Sequence, residues 1–343
     1  MAVRVPVIAL TGYLGAGKTT VLNRLLQAPG ARLGVVINDF GAINVDALLV
    51  SGQVDEPASI AGGCLCCLTD TDGLDAALEK LTHPRLRLDA VIVEASGVAD
   101  PPALARLIGY SGVSRVRPGG LVDVVDAATY FETVDTGGLP PARFASASLV
   151  VINKTDRLPA ADRATTVARI TARVRESNPH VHVLDTAHGR VDPQLVFDAA
   201  NPHDPVDELP LAALARDDHD HGPHPRVDAV TVPATGPVDP GRLADLIEDP
   251  PADVYRLKGA VTVNTGRSLR GHVVNIVGRQ VHVTAATVRP GAAAAGSEGL
   301  VAIGVRLDQA AVRARLEAAL HPCADRPAAE GVRRLARHRR LSA

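Results

Sequence analysis

Residues 12–19 read Gly-Tyr-Leu-Gly-Ala-Gly-Lys-Thr, the spacing G-x-x-x-x-G-K-[ST]. Gly12, Gly15 and Gly17 let the backbone curl until its N–H groups face inward, a cradle for a phosphate chain. In such a loop Lys18 reaches the β- and γ-phosphates and Thr19 ligates Mg²⁺, while Tyr13, Leu14, Ala16 and Thr20 complete the wall. The preceding run VPVIALT reads as a strand and the following TTVLNRLL as a helix, whose positive dipole end adds to the cradle. A glycine-rich turn without nucleotide is the competing reading, and pattern and context together argue against it.

Asn153-Lys154-Thr155-Asp156 follows the strand-like run SLVVI and has the spacing N-K-x-D. A carboxylate at Asp156 accepts from both guanine N1–H and N2–H₂, whereas adenine offers no such donor pair and would leave the charge unpaired. GTP is therefore the expected nucleotide. Strand DAVIVE ends in Glu94, ahead of Ala95-Ser96-Gly97. An acid there organises Mg²⁺ or its water, and the glycine permits close approach to the γ-phosphate. Lys18, Thr19 and Glu94 form the expected catalytic set. Asp39 and Asp46, after the second strand, lie where a first nucleotide-sensing switch belongs, with Asp39 a further Mg²⁺ ligand; ordinary loop carboxylates are the alternative.

Cys64, Cys66 and Cys67 place three of the chain's four cysteines within AGGCLCCLTD. Clustered thiolates select Zn²⁺, Cu⁺ or other thiophilic ions over Mg²⁺, and three ligands leave a position open for loading and release. The helix LTDTDGLDAALEKL that follows would lower their pKa values through its N-terminal dipole. A redox pair and simple packing are the rival readings; adjacent cysteines close small strained rings poorly suited to a stable disulfide. A short tract, DDHDHGPH, carries His219, His221 and His224 and reads as a loose metal binder or a solvated linker.

These groups need a scaffold to position them. From residue 3 to about 200, the runs VPVIAL, LGVVIN, DAVIVE, GLVDVVDA, SLVVINK and VHVLD alternate with helical patterns. Continuous apolar runs suit strands covered on both faces, and the alternation implies an α/β fold: a P-loop NTPase core with a doubly wound, mostly parallel sheet flanked by helices. Residues 201–226, rich in Asp, His and Pro, read as a linker. Residues 227–320 predict a smaller α+β C-terminal domain of strands and two helices, and 321–343 a flexible basic tail.

Apolar residues make up 46% of the 343-residue chain, which supports real cores. With no Trp, one Met and a net charge of −2, the chain lacks stacking platforms and a global field, so no nucleic-acid partner is expected. The arginines at 333, 334, 337, 339 and 340 are the local exception, as a solvated run or a polyanion site. No run reaches the length of about 18 apolar residues needed to span a bilayer. The N-terminal run leads straight into a functional loop and reads as a strand rather than a signal peptide, so no membrane and a cytoplasmic location are expected.

GYLGAGKTT, GGCLCC, EASG followed by Pro101, and NKTD together resemble the CobW family of metal-chaperone GTPases, and YRLKGAVTV and LVAIGVRL look like that family's C-terminal domain. The resemblance implies a GTPase that binds Zn²⁺ or Co²⁺ through Cys64, Cys66 and Cys67 and hands it to a client metalloprotein, with Lys18, Thr19 and Asp156 serving GTP. The client would dock on the C-terminal domain, and a homodimer is compatible. Where this chain has Asp39 and Ala42 the family often has glutamates. No arginine finger or water-orienting Gln is assignable, so slow intrinsic turnover is expected. A regulatory GTPase that senses metal or redox status, and a metal buffer with vestigial GTPase activity, remain the alternatives.

Overall fold

The computed structural model describes residues 4–28, 31–37, 72–95, 97, 100–137, 139, 141–197, 227–286 and 298–342. They fall into two compact units, one built on residues up to Ala200 and one on Arg226–Ala343. Cys64, Cys66, Cys67, Asp39, Asp46 and the histidines of 217–224 lie outside the described residues.

In the first unit, β1 (Val5–Gly12), β2 (Leu33–Ile37), β3 (Ala90–Glu94), β4 (Val116–Asp126), β5 (Leu149–Asn153) and β6 (His182–Asp185) form one sheet in the order β2-β3-β1-β4-β5-β6. Every pairing is parallel. These are the six runs read as strands. β4 starts earlier than its apolar run, at Val116, and its register against β1 shifts between Val7 and Ala9, beside the Pro118-Gly119-Gly120 stretch. The chain winds to one side of β1 through β2 and β3 and to the other through β4, β5 and β6. Strand order therefore reverses at β1, and the crevice at its C-terminal end is where such sheets bind ligands.

Helices α1 (Lys18–Leu26), α2 (Asp72–Leu81), α3 (Pro101–Gly109), α4 (Tyr130–Thr133), α5 (Ala160–Ser177) and α6 (Pro193–Val196) flank this sheet. Each longer helix buries one stripe, as Leu74, Ala77, Leu78 and Leu81 do on α2. The sequence reading missed α3, which Pro101 opens at a first-turn position where its missing N–H costs nothing.

The second unit is a five-stranded sheet in the order β10-β9-β8-β11-β7: β7 (Val227–Pro233), β8 (Val254–Asn264), β9 (Leu269–Val277), β10 (Gln280–Ala286) and β11 (Gly299–Val305). All its pairings are antiparallel. Its apolar cluster gathers Leu257, Val261, Val274 and Leu300 of the sheet with Leu243, Leu246 and Ile247 of α7 (Pro240–Glu248) and Val312 and Leu316 of α8 (Gln309–Leu320).

The expected flexible tail is corrected here: Ala329–Leu341 is a helix, α9. Leu335 joins the apolar cluster, and Gly331 lies so close to α7 that a Cβ there would stand 2.6 Å from Gly241 Cα. Arg334 pairs with Asp245 at 2.8 Å and with Glu248 at 2.6 Å, and His338 Nε2 meets Glu248 Oε1 at 3.0 Å. The charge run hid a docking stripe because its acidic and glycine partners lie on α7, about ninety residues upstream.

Candidate functional site

The loop after β1 is shaped by its glycines. Gly15 and Gly17 take φ of 75° and 102°, left-handed values that side-chain-bearing residues rarely adopt. A Cβ on Gly17 would also strike Asn153 Nδ2, so this loop closes only around a residue without a side chain. α1 begins at Lys18 with Gly17 as its N-cap and no side-chain cap, which leaves its first N–H groups for a ligand.

Lys18 Nζ donates to Gly12 O at 3.0 Å, folded back along the loop. Thr19 Oγ1 donates to Glu94 Oε1 at 3.0 Å, which joins the first turn of α1 to the last residue of β3. Glu94 is buried at 6% exposure, and Ala95 N continues the ladder by donating to Leu10 O at 2.9 Å. Past it, Gly97 abuts the loop: a Cβ at 97 would lie 2.7 Å from Leu14 N.

The N-K-x-D segment arrives from β5. Asn153, 1% exposed, donates from Nδ2 to Ala16 O at 3.0 Å and accepts from Gly189 N at 2.9 Å, bridging the glycine loop to the turn after β6. Lys154, in a left-handed conformation with φ 61°, donates to Gly15 O at 2.5 Å and to Asp126 Oδ2 at 2.7 Å. Asp156 stays partly exposed, with His188 Nε2 3.8 Å from its Oδ2. The structure thus brings together Gly12, Tyr13, Leu14, Gly15, Ala16, Gly17, Lys18, Thr19, Thr20, Glu94, Asn153, Lys154 and Asp156, all at the C-terminal edge of the sheet.

Sequence reasoning missed two contributors. Asp126 ends β4 and accepts from Ala128 N at 2.9 Å as well as from Lys154. The turn 186–190 is braced by Thr186 Oγ1 on Arg190 O at 2.6 Å and by Arg24 Nε on His188 O at 2.7 Å. Its only trace in the sequence is Gly189, four residues after the end of a strand.

Beneath β4 lies a second polar cluster. Arg143 clasps the fully buried Asp123 through Nε at 2.8 Å and Nη2 at 2.9 Å. Burial draws the Arg143 pKa down, but the charge and hydrogen bonds of Asp123 outweigh it and the net shift is upward. Tyr130 is fully buried nearby, and its hydroxyl has no partner among the described residues. Burial first, then the Asp135 carboxylate, pushes that phenol above its ordinary range, so it stays neutral.

The model of the CobW/HypB/UreG nucleotide-binding domain matches residues 6–184, and that of the cobalamin synthesis protein cobW C-terminal domain matches residues 227–320. The chain belongs to the CobW/HypB/UreG family. Among its CobW-type relatives, the zinc chaperone CobW of Sinorhizobium sp is 29% identical over 92% of this chain and 97% of its own length. The zinc chaperone YjiA of Escherichia coli is 28% identical over 56% of this chain and 61% of that protein. The crystal structure of Zn(II)-bound YjiA GTPase from E. coli aligns with a TM-score of 0.41 at 21% identity, covering 92% of this chain and 99% of that one. No described helix is long and apolar enough to cross a membrane.

Proposed function

We propose that this protein is a GTP-hydrolysing metallochaperone that holds Zn²⁺, or Co²⁺ as the alternative cargo, through Cys64, Cys66 and Cys67 and passes it to a client metalloprotein under nucleotide control. The observation that carries the nucleotide half is the 3.0 Å contact between Thr19 and Glu94 beside Lys18. It joins the phosphate loop to Glu94 at the end of β3, a point from which a γ-phosphate can be reported to the rest of the domain. The cargo half is supported by the cysteine run and by the Sinorhizobium relative, a named zinc chaperone similar along nearly the whole chain.

A hydroxyl and a carboxylate side by side are the hard oxygen donors that Mg²⁺ takes alongside water and phosphate oxygens, so Thr19 and Glu94 fit that ion. When bound, Mg²⁺ would offset charge developing on the β- and γ-phosphates. Lys18 exchanges its bond to Gly12 O for phosphate oxygens, and the α1 N–H groups bind the same chain. Asp156 accepts from the guanine edge, while Asn153 and Lys154 hold the glycine loop in register with it. Chain segments carrying free thiolates of this kind belong in a reducing compartment such as the cytoplasm.

Competitive Zn²⁺ and Co²⁺ titration, with and without Mg²⁺-GTP, tests the whole reading. A chaperone shows one tight equivalent whose affinity depends on nucleotide, and Cys66→Ser loses the metal while keeping GTP. Unchanged metal stoichiometry in Cys66→Ser would remove the cysteine run as the site, and several tight equivalents would favour a metal buffer.

A further inference from the structure

We propose that the outward face of α9 is a docking surface for an acidic segment of a partner protein. Five of the six basic residues of the helix divide between two jobs. Arg334 and His338 turn inward with Leu335 and Gly331 and are consumed by Asp245, Glu248 and the apolar cluster. Arg333, Arg337 and Arg340 are exposed, and among the described residues none of their guanidiniums makes a hydrogen bond or an ion pair.

Their spacing of four and three residues puts these guanidiniums in one stripe, about 10 Å long at 1.5 Å per residue. Inward anchoring fixes the backbone that carries the stripe, so a ligand does not have to order the helix itself. The helix carries a single acid, Glu330, in its first turn, and it forms no ion pair with the three arginines among the described residues. α9 also lies beyond the family's C-terminal domain, whose match ends at residue 320.

Among anionic partners, the observations favour a carboxylate-bearing peptide. The apolar side of α9 is already packed on α7 and the sheet, and Leu341 is the one large apolar residue it leaves exposed among those described, too little to insert into a lipid surface. Three charges on one helical face, with no aromatic residue between them, fall short of the roughly 6–10 phosphate contacts that hold a nucleic acid. They match two or three side chains of a short Asp/Glu segment, each able to engage a guanidinium in a two-pronged pair. This names the kind of partner for the proposed metal transfer and rests on that reading for its purpose, though not for its binding test.

The test is fluorescence anisotropy with a labelled peptide of alternating Glu and Ser, at about physiological ionic strength. The full-length chain should bind it, and Arg333→Gln/Arg337→Gln/Arg340→Gln should weaken binding by about tenfold or more. The Gln-for-Glu peptide should not bind, and the equal-charge control Arg163→Gln/Arg267→Gln/Arg279→Gln should bind like the parent. Single Arg337→Glu, a milder change to the helix, should also weaken binding. Undiminished affinity in the triple variant overturns the proposal, as does tighter arginine-dependent binding of a DNA duplex or of phosphatidylserine vesicles. The Zn²⁺ titration with Mg²⁺-GTP on the same samples separates the two ideas: absent coupling there sinks the chaperone reading and leaves the peptide result standing.

Discussion

Thr19 lies in the first turn of α1 and Asp156 in the turn after β5, and the oxygen chemistry of each predicts a different effect of substitution. Thr19 Oγ1, already 3.0 Å from Glu94, is the hydroxyl a bound Mg²⁺ would meet. Thr19→Ala should lower Mg²⁺-dependent GTP turnover about a hundredfold, near 2.7 kcal/mol of barrier, in a chain that still folds by circular dichroism. Phosphate release measures this, and wild-type turnover in the variant would remove Thr19 from the site. Asp156→Asn replaces an acceptor by a group that can also donate, so it should lose about tenfold or more in GTP affinity and gain affinity for the xanthine nucleotide, whose C2 bears a carbonyl instead of an amino group. Competition between the two nucleotides reads the switch directly. Asp126 could not be singled out beforehand, because an acid after an apolar run has no visible partner until Lys154 folds onto it at 2.7 Å.

Two elements depend on ion pairs of very different kinds. Arg143 ties the turn 142–146 to β4 through the fully buried Asp123, so Arg143→Met strands a carboxylate in the core. That should cost about 3–5 kcal/mol of stability by urea unfolding, and the double variant Asp123→Leu/Arg143→Met should regain much of it. Glu248, which anchors α9, is held at a pKa of about 2 by hydrogen bonds from Arg334 and then His338, against an ordinary value of 4.5. Since the folded value lies below the unfolded one, the contribution is complete above pH 4.5 and disappears as pH falls toward 2. The pair is 40% exposed on the Glu248 side, which limits its contribution to about 1 kcal/mol or less. The protection of α9 amides, referenced to intrinsic exchange at each pH, should fall across that window in the parent chain, while Glu248→Gln should be less protected at neutral pH and lose the dependence. An identical acid response in both would mean that Arg334 and His338 do not anchor the helix through Glu248.

For the whole molecule the decisive property is coupling between nucleotide and cargo. Any such coupling is reciprocal, so the factor by which Mg²⁺-GTP changes Zn²⁺ affinity must equal the factor by which Zn²⁺ changes GTP affinity. A shift of about five- to 150-fold in both dissociation constants is expected, and two constants each indifferent to the other ligand would refute the chaperone mechanism. The sequence by itself determined the parallel sheet, through apolar runs covered on both faces, and the phosphate loop, whose glycines, lysine and threonine are contiguous in the chain. It also singled out the Asn153-Lys154-Thr155-Asp156 tetrad at the end of β5, because local spacing carries that information. Tertiary structure alone decided that Glu94 closes on Thr19, that Asn153 joins the glycine loop to the turn at Gly189, and that Asp126 holds Lys154. It likewise decided which arginines of the C-terminal run are consumed inward and which stay free. The physical reason is the same in each case: a hydrogen bond or ion pair between distant segments leaves no periodicity in either one, and only the folded chain brings the two halves within reach.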